Sequence, residues 1–303
     1  MNSKLPNFLI VGAAKCGTSS LHNYLNQHPD IFMPSYNNLG MKVKEPRFLI
    51  KDLVKHRLPH GVWSFEEYQS LFMDVKKERL VGESTVLYLY YYEHAIKNIK
   101  HYLGKDVKII IMLRNPIDRA YSAYSFASRT HQENQPFKEA LLNSKIRFDN
   151  DETSSPMILY KELGLYHKMV KAYMQNFKDV HFIIYDDFIR QTDLEVKRVF
   201  DFLNVDQKIH INTNKIINAG GKKWDSKFMK NLLMGEGYVK KFLRVFMPKK
   251  TRVFIKEKLT NVFTSKADKL HVSIKKELLD YYKHDMQLLE GLINKDLSQW
   301  MKI

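Results

Sequence analysis

Cysteine is nearly absent: Cys16 stands alone among 303 residues, which excludes an intramolecular disulfide framework and fits a reducing compartment. No uninterrupted apolar run approaches the ~18 residues of a membrane-spanning helix. The opening Met-Asn-Ser-Lys-Leu-Pro runs straight into a short apolar stretch, without the basic-then-apolar order of a secretory signal. A cytoplasmic location is therefore the expectation. Internal repeats and Pro/Gly/Ser-rich linkers are missing, and no His, Cys, Asp and Glu cluster has metal-ligand spacing, so no metal is expected. Acidic residues are also scarce, 33 against 49 Lys and Arg, for a formal charge of +16.

What remains is ordinary globular composition, 44% hydrophobic and 27% charged, in a chain long enough to bury a substantial core. Continuous apolar runs at 7–12, 80–83, 107–113 and 180–185 read as buried strands separated by helical patterns. This alternation predicts an α/β fold: a central parallel sheet flanked by helices in three layers. Residues 1–303 read as one domain, with 225–270 as a possible basic helical subdomain. Residues 35–63 lack periodicity and are expected to loop over the sheet's carboxyl edge, and Ser144–Pro156 reads as an exposed connection. Leu278, Tyr282, Met286, Leu289 and Ile293 form one helical stripe, the signature of core packing.

The first strand ends in Gly12-Ala-Ala-Lys-Cys-Gly-Thr-Ser19, and Leu21, Tyr24, Leu25 and His28 then share a helical face. A strand, a tight loop and a helix N-terminus make an anion cradle of converging N–H groups and helix dipole. Gly12 and Gly17 have the spacing of a nucleotide-binding P-loop, but Thr18 stands where G-x-x-x-x-G-K-[ST] needs its lysine. The lysine lies inside the loop instead, at Lys15. The run Val107–Leu113 ends in Arg114-Asn-Pro-Ile-Asp-Arg-Ala-Tyr-Ser-Ala-Tyr124. Asn115 suits an N-cap and Pro116 a first helical position, which leaves Arg114 at a strand's carboxyl end, where open α/β sheets bind ligands. Arg119 and Ser122, three apart, are expected to share a face, giving an arginine–hydroxyl receptor for a second phosphate.

In this order, about a hundred residues apart, the two segments resemble the donor-binding motifs of sulfotransferases that use 3′-phosphoadenosine-5′-phosphosulfate (PAPS). Lys44-Glu-Pro-Arg-Phe-Leu49 is similar to the Lys-Glu-x-His/Arg-Phe-Phe segment of the carbohydrate, heparan-type branch. Gly82-Glu-Ser-Thr85 with Tyr88 is similar to that branch's Gly-Glu-x-[ST]-Pro-x-Tyr, although Val86 replaces the proline. Ser84 stands where some heparan-type members carry a lysine, so a heparan-like acceptor is not supported. Leu163-Gly-Leu-Tyr166, Phe182–Phe188, Asn218-Ala-Gly-Gly-Lys-Lys223 and Lys295–Trp300 extend the resemblance along most of the chain.

The resemblance implies a carbohydrate or glycolipid acceptor and a set of roles. Lys15 neutralises the departing bridging oxygen, while Cys16, Gly17, Thr18 and Ser19 belong to the loop around the 5′-phosphate. Arg114 and Ser122 hold the 3′-phosphate, and Lys222 and Lys223 close over the donor. Glu45 matches the branch's general base, its alternative being a salt bridge to Lys44 or Arg47. Glu83 is a second carboxylate candidate, alternatively a hydrogen-bonding anchor. His22 reads as packing or surface, Asp186 and Asp187 as capping residues before Phe188, and Cys16 as a small turn residue or a thiol activated by the helix N-terminus. A P-loop kinase and a non-catalytic glycan- or membrane-binding protein on the same scaffold are the competing functions.

Charge is concentrated late in the chain: Lys222–Lys276 holds 16 Lys and Arg against 4 acidic residues, interleaved with large apolar side chains. A solvated helical face and peripheral contact with anionic lipid at the inner face of a membrane both fit this pattern. Nucleic acid is not expected as a partner, since no recognition signature accompanies the charge.

Overall fold

The computed structural model describes residues 4–35, 43–130, 132–214, 222–224, 262–266, 268 and 270–303. Five strands, β1 (Phe8–Gly12), β2 (Ile31–Phe32), β3 (Leu80–Ser84), β4 (Lys108–Leu113) and β5 (Val180–Ile184), form one sheet in the order β2-β3-β1-β4-β5. Every pairing in it is parallel. The central strands are continuous Val, Ile and Leu because both of their faces are covered, as β1 and β4 show by near-complete burial. This is the α/β architecture that the apolar runs predict. The two-residue edge strand β2 is additional, too short to leave a pattern.

Helices α1 (Thr18–Leu25), α2 (Lys51–Val54), α3 (Phe65–Ser70), α4 (Tyr92–Tyr102), α5 (Pro116–Arg129), α6 (Phe137–Asn150), α7 (Tyr166–Asn176), α8 (Tyr185–Arg190), α9 (Thr192–Leu203) and α10 (Val272–Ile293) surround the sheet. The chain leaves β1 toward β3 and β2 but leaves β4 toward β5. Right-handed crossovers in opposite directions place helices on opposite faces and open a crevice between the carboxyl ends of β1 and β4. A short antiparallel pair, β6 (Lys222–Trp224) with β7 (Thr264–Lys266), runs beside α5.

Backbone contacts at the sheet are close. A Cβ on Gly82 would overlap the Phe8 ring and the Met33 sulfur, so only glycine fits at this point of β3. Gly82→Ala is expected to lower stability by about 1–3 kcal/mol, read from the urea midpoint of unfolding.

Helix α10 buries the stripe Leu278, Tyr282, Met286, Leu289 and Ile293 as the spacing predicts. It is fastened to the preceding core by polar bonds. Asp285 accepts from the Tyr166 backbone N–H at 2.8 Å, and Tyr282 Oη donates to the Lys161 carbonyl at 2.9 Å. Beyond α10, the Trp300 carbonyl accepts from Asn115 Nδ2 at 3.2 Å.

The expected loop Ser144–Pro156 is helical in its first half, where α6 continues to Asn150. Burial of Leu141 and Ser144, the Arg147–Glu133 pair at 2.6 Å and the stacking of Arg57 on Phe148 give this polar stretch tertiary partners. Segment 43–54 does cover the sheet's carboxyl edge, carrying a 3₁₀ turn at Phe48–Ile50 and α2. Most of 225–270 lies outside the described residues. Among those described, no helix is long and apolar enough to cross a membrane.

Candidate functional site

The loop after β1 turns on two left-handed residues, Lys15 at φ 68° and Gly17 at φ 88°. Gly17 is the N-cap of α1, where positive φ and the Phe188 ring, 3.3 Å from any added Cβ, favour glycine. Lys15 adopts a conformation that L residues with side chains rarely take, a form of local strain that collects at functional loops. The first turn of α1 closes on the Gly17 carbonyl, which accepts from the Ser20 N–H at 3.0 Å and the Leu21 N–H at 3.2 Å, so the positive end of the helix dipole lies at the loop.

Arg114 follows β4 across the crevice. Its Nη1 donates to the Lys15 carbonyl at 3.3 Å, and its guanidinium lies 4.5 Å from the centre of the Tyr185 ring at the end of β5. The two expected phosphate receptors therefore meet at the switch point of the sheet. Asn115 caps α5 by accepting from the Ile117 N–H at 3.0 Å, with Pro116 at the first helical position, as expected.

The Lys15 ammonium rests 4.2 Å from the centre of the Phe126 ring, and Arg129 lies over the same ring at 5.6 Å. Burial, then Arg129 and Arg114, push the Lys15 pKa down to about 8. Phe126 and Arg129 are additions to the sequence-based site. With Ser122 they follow an i, i+4, i+7 stripe on α5, and that spacing is the signal that identifies them. Ser122 is half-buried on this stripe.

Arg119 does not share the site. It is fully buried, donates from Nη2 to the Tyr160 carbonyl, and faces the core with Ala120, Ala123 and Ala127. A three-residue step leaves two side chains roughly 60° apart, enough to put Arg119 inside and Ser122 at the rim. Cys16 is likewise enclosed, with Sγ directed to the Ala14 carbonyl at 3.5 Å. Burial raises its thiol to about 11, so the helix N-terminus does not activate it. Only its backbone remains available to the loop.

Segment 43–47 reaches the phosphate loop through Lys44, whose Nζ donates to Thr18 Oγ1 at 3.3 Å and pairs with Glu45 at 3.2 Å. Glu45 also faces Arg47 at 3.9 Å. The salt bridges considered as its alternative are thus both present. Its carboxylate nevertheless stays about one-quarter exposed and acts electrostatically on Lys15.

Glu83, at the end of β3, is fully buried. Its Oε1 accepts from Thr85 Oγ1 at 2.7 Å, and its Oε2 from Tyr68 Oη at 2.7 Å and Tyr88 Oη at 3.3 Å. Burial raises its pKa to about 7 despite these donors. Ser84 is buried too. His22 packs inside, and Asp186 and Asp187 fall in the first turn of α8, whose N-cap is Ile184. Lys222 and Lys223 lie on β6 beside α5; their side chains are outside the described residues.

Lys15, Lys44, Arg47, Arg114 and Arg129 gather at the phosphate loop, and among the described residues Glu45 pairs with Lys44 and Arg47 while Asp118 acts on Arg114. Such a concentration of cations is costly without a bound polyanion. Each phosphomonoester carries about −1.5 to −2 charges, so a ligand with two of them matches the excess.

Comparisons with known proteins agree with this chemistry. The sulfotransferase domain model matches residues 5–289. A crystal structure of a sulfotransferase from Alicyclobacillus acidocaldarius superposes with a TM-score of 0.73 and 28% identity, covering 99% of this chain and 100% of that one. Carbohydrate sulfotransferase 15 of Mus musculus is 21% identical over 66% of this chain and 44% of its own length. Heparan sulfate glucosamine 3-O-sulfotransferase 3B1 of Mus musculus is 24% identical over 71% of this chain and 51% of its own. The chain therefore spans about half the length of these curated relatives. With its family model covering nearly all of the chain and its cations gathered at the switch point, this protein belongs to the sulfotransferase domain family.

Proposed function

We propose that the protein transfers a sulfuryl group from PAPS to a hydroxyl of a carbohydrate or glycolipid acceptor. The observation that carries this reading is the meeting of Lys15 and Arg114 across the crevice, with Glu45 acting electrostatically on Lys15. In the reaction the acceptor oxygen attacks sulfur in line while Glu45 takes its proton. The bond from sulfur to the bridging oxygen breaks, and adenosine 3′,5′-bisphosphate leaves with the bonding pair. Lys15 neutralises the charge on that oxygen. The loop from Cys16 to Ser19 holds the 5′-phosphate, Arg114 and Ser122 hold the 3′-phosphate, and Lys222 and Lys223 close over the donor. Positioning and fixed charge supply the catalysis, as in phosphoryl transfer.

Thermal stability separates this reading from a P-loop kinase. At 100 times its dissociation constant, a ligand that binds only the folded state adds about 2.7 kcal/mol. Adenosine 3′,5′-bisphosphate is expected to give this stabilisation, and ATP with Mg²⁺ is not; the reverse result would overturn the assignment. Acceptor class is read by offering ³⁵S-labelled PAPS with chondroitin, desulfated heparan and a glycolipid extract. A cytoplasmic enzyme resting on anionic lipid through 222–276 completes the proposal, and flotation with neutral and anionic liposomes tests that contact.

A further inference from the structure

Glu83 is a buried carboxylate that the transfer step does not use. Three hydroxyls donate to it: Tyr68 from α3, and Thr85 and Tyr88 from the turn after β3. Two of those hydroxyls are also acceptors. Thr85 Oγ1 accepts from the Arg47 N–H at 3.3 Å, and Tyr88 Oη accepts from the Leu49 N–H at 3.3 Å. A hydroxyl that donates its only hydrogen to Glu83 presents lone pairs to these amides, so the carboxylate sets the polarity of the whole network. The amides belong to the turn that follows Glu45, and Arg47 sits there at φ 61°, a conformation needing outside support.

The surroundings of Glu83 are otherwise neutral or acidic. Tyr173 from α7 donates to the Tyr88 carbonyl at 2.9 Å, and Asn98 from α4 holds the Leu49 carbonyl at 2.8 Å. Glu45 adds to the upward push on the Glu83 pKa. Glu45 itself faces Lys44 and Arg47 directly.

Resting on the sulfotransferase reading, we propose that Glu83 is a positioning residue for the base. Its hydroxyl network fixes the turn that carries Glu45.

Two variants test the network. Glu83→Gln replaces one of its acceptor oxygens by a donor, and Thr85→Val removes the bridge to Arg47. Hydrogen exchange of the 43–50 backbone, the bisphosphate dissociation constant and kcat with ³⁵S-PAPS are measured on both. Both variants are expected to exchange faster at 43–50, to bind bisphosphate within about twofold of wild type, and to lose about 10–100-fold in kcat. A merely structural role would weaken bisphosphate binding in step with kcat and would overturn the proposal. Wild-type exchange and turnover in both variants would overturn the proposal outright. If Glu83→Gln fails to fold, Thr85→Val decides the positioning role. Failure of the wild-type protein to bind bisphosphate would instead remove the sulfotransferase reading, a distinguishable outcome.

Discussion

Glu45→Gln is expected to lower turnover by about 10²–10⁴-fold while leaving bisphosphate affinity equal to or slightly tighter than wild type. The range is that of a positioned general base. Glutamine preserves the shape of the side chain and its acceptor oxygen but cannot take a proton from the acceptor hydroxyl. The direction of the binding effect follows from the charges: Glu45 pairs with Lys44 at 3.2 Å and faces Arg47 at 3.9 Å, and both cations gain free positive potential when it is neutralised. Isothermal titration with adenosine 3′,5′-bisphosphate and initial rates with ³⁵S-PAPS give the two numbers. If binding weakens as much as turnover, the carboxylate serves to hold Lys44 against Thr18, and the proton has another destination.

Lys15→Met should cost about 10²–10³-fold in kcat, the loss found when a donor aimed at developing negative charge is removed. The same lysine predicts a pH dependence of donor binding. Burial beside Arg129 and Arg114 lowers its pKa to about 8 in the ligand-free protein. A bound phosphate favours the ammonium form and raises that pKa. Below pH 8 the lysine is protonated with or without ligand, so affinity is flat there. Above pH 8 the free enzyme is neutral at this position and binding must draw a proton from solution. Bisphosphate affinity is therefore expected to fall about fivefold between pH 8 and pH 9, with proton uptake visible as a buffer-dependent heat. Lys15→Met should abolish both the slope and the uptake. An unchanged slope in the variant would assign the titration to another group.

The fold was legible where one physical rule dominated. Apolar runs mark the strands, continuous and buried in β1 and β4 and shorter or half-buried in β3 and β5, so all four could be placed within a residue or two, whereas β2 is too short to carry a pattern. The meeting of Lys15 and Arg114 was legible because both follow strands whose carboxyl ends flank a crossover reversal. Errors arose where tertiary packing decided. Arg119 looks like a ligand-facing cation at three-residue spacing, yet a modest rotation around α5 buries it against Tyr160. Ser144–Asn150 reads as loop until Glu133 and Arg57, distant in sequence, supply partners for Arg147 and Phe148. The hydroxyl shell of Glu83 draws on Tyr68, Thr85 and Tyr88 from two separate elements, and local periodicity does not encode which carboxylate they enclose.

The fastening of α10 and Trp300 onto the core has a temporal meaning during translation. Asn115, the cap directly after Arg114, and Tyr166, at the start of α7, both depend on residues more than a hundred positions further along the chain. The nascent chain extends by about 5–20 residues per second, so β1 waits roughly 15–55 s for α10 to appear. Throughout that interval the anion cradle exists without its clasp. Emergence of α10, more than closure of the sheet, is the moment at which the pocket matures.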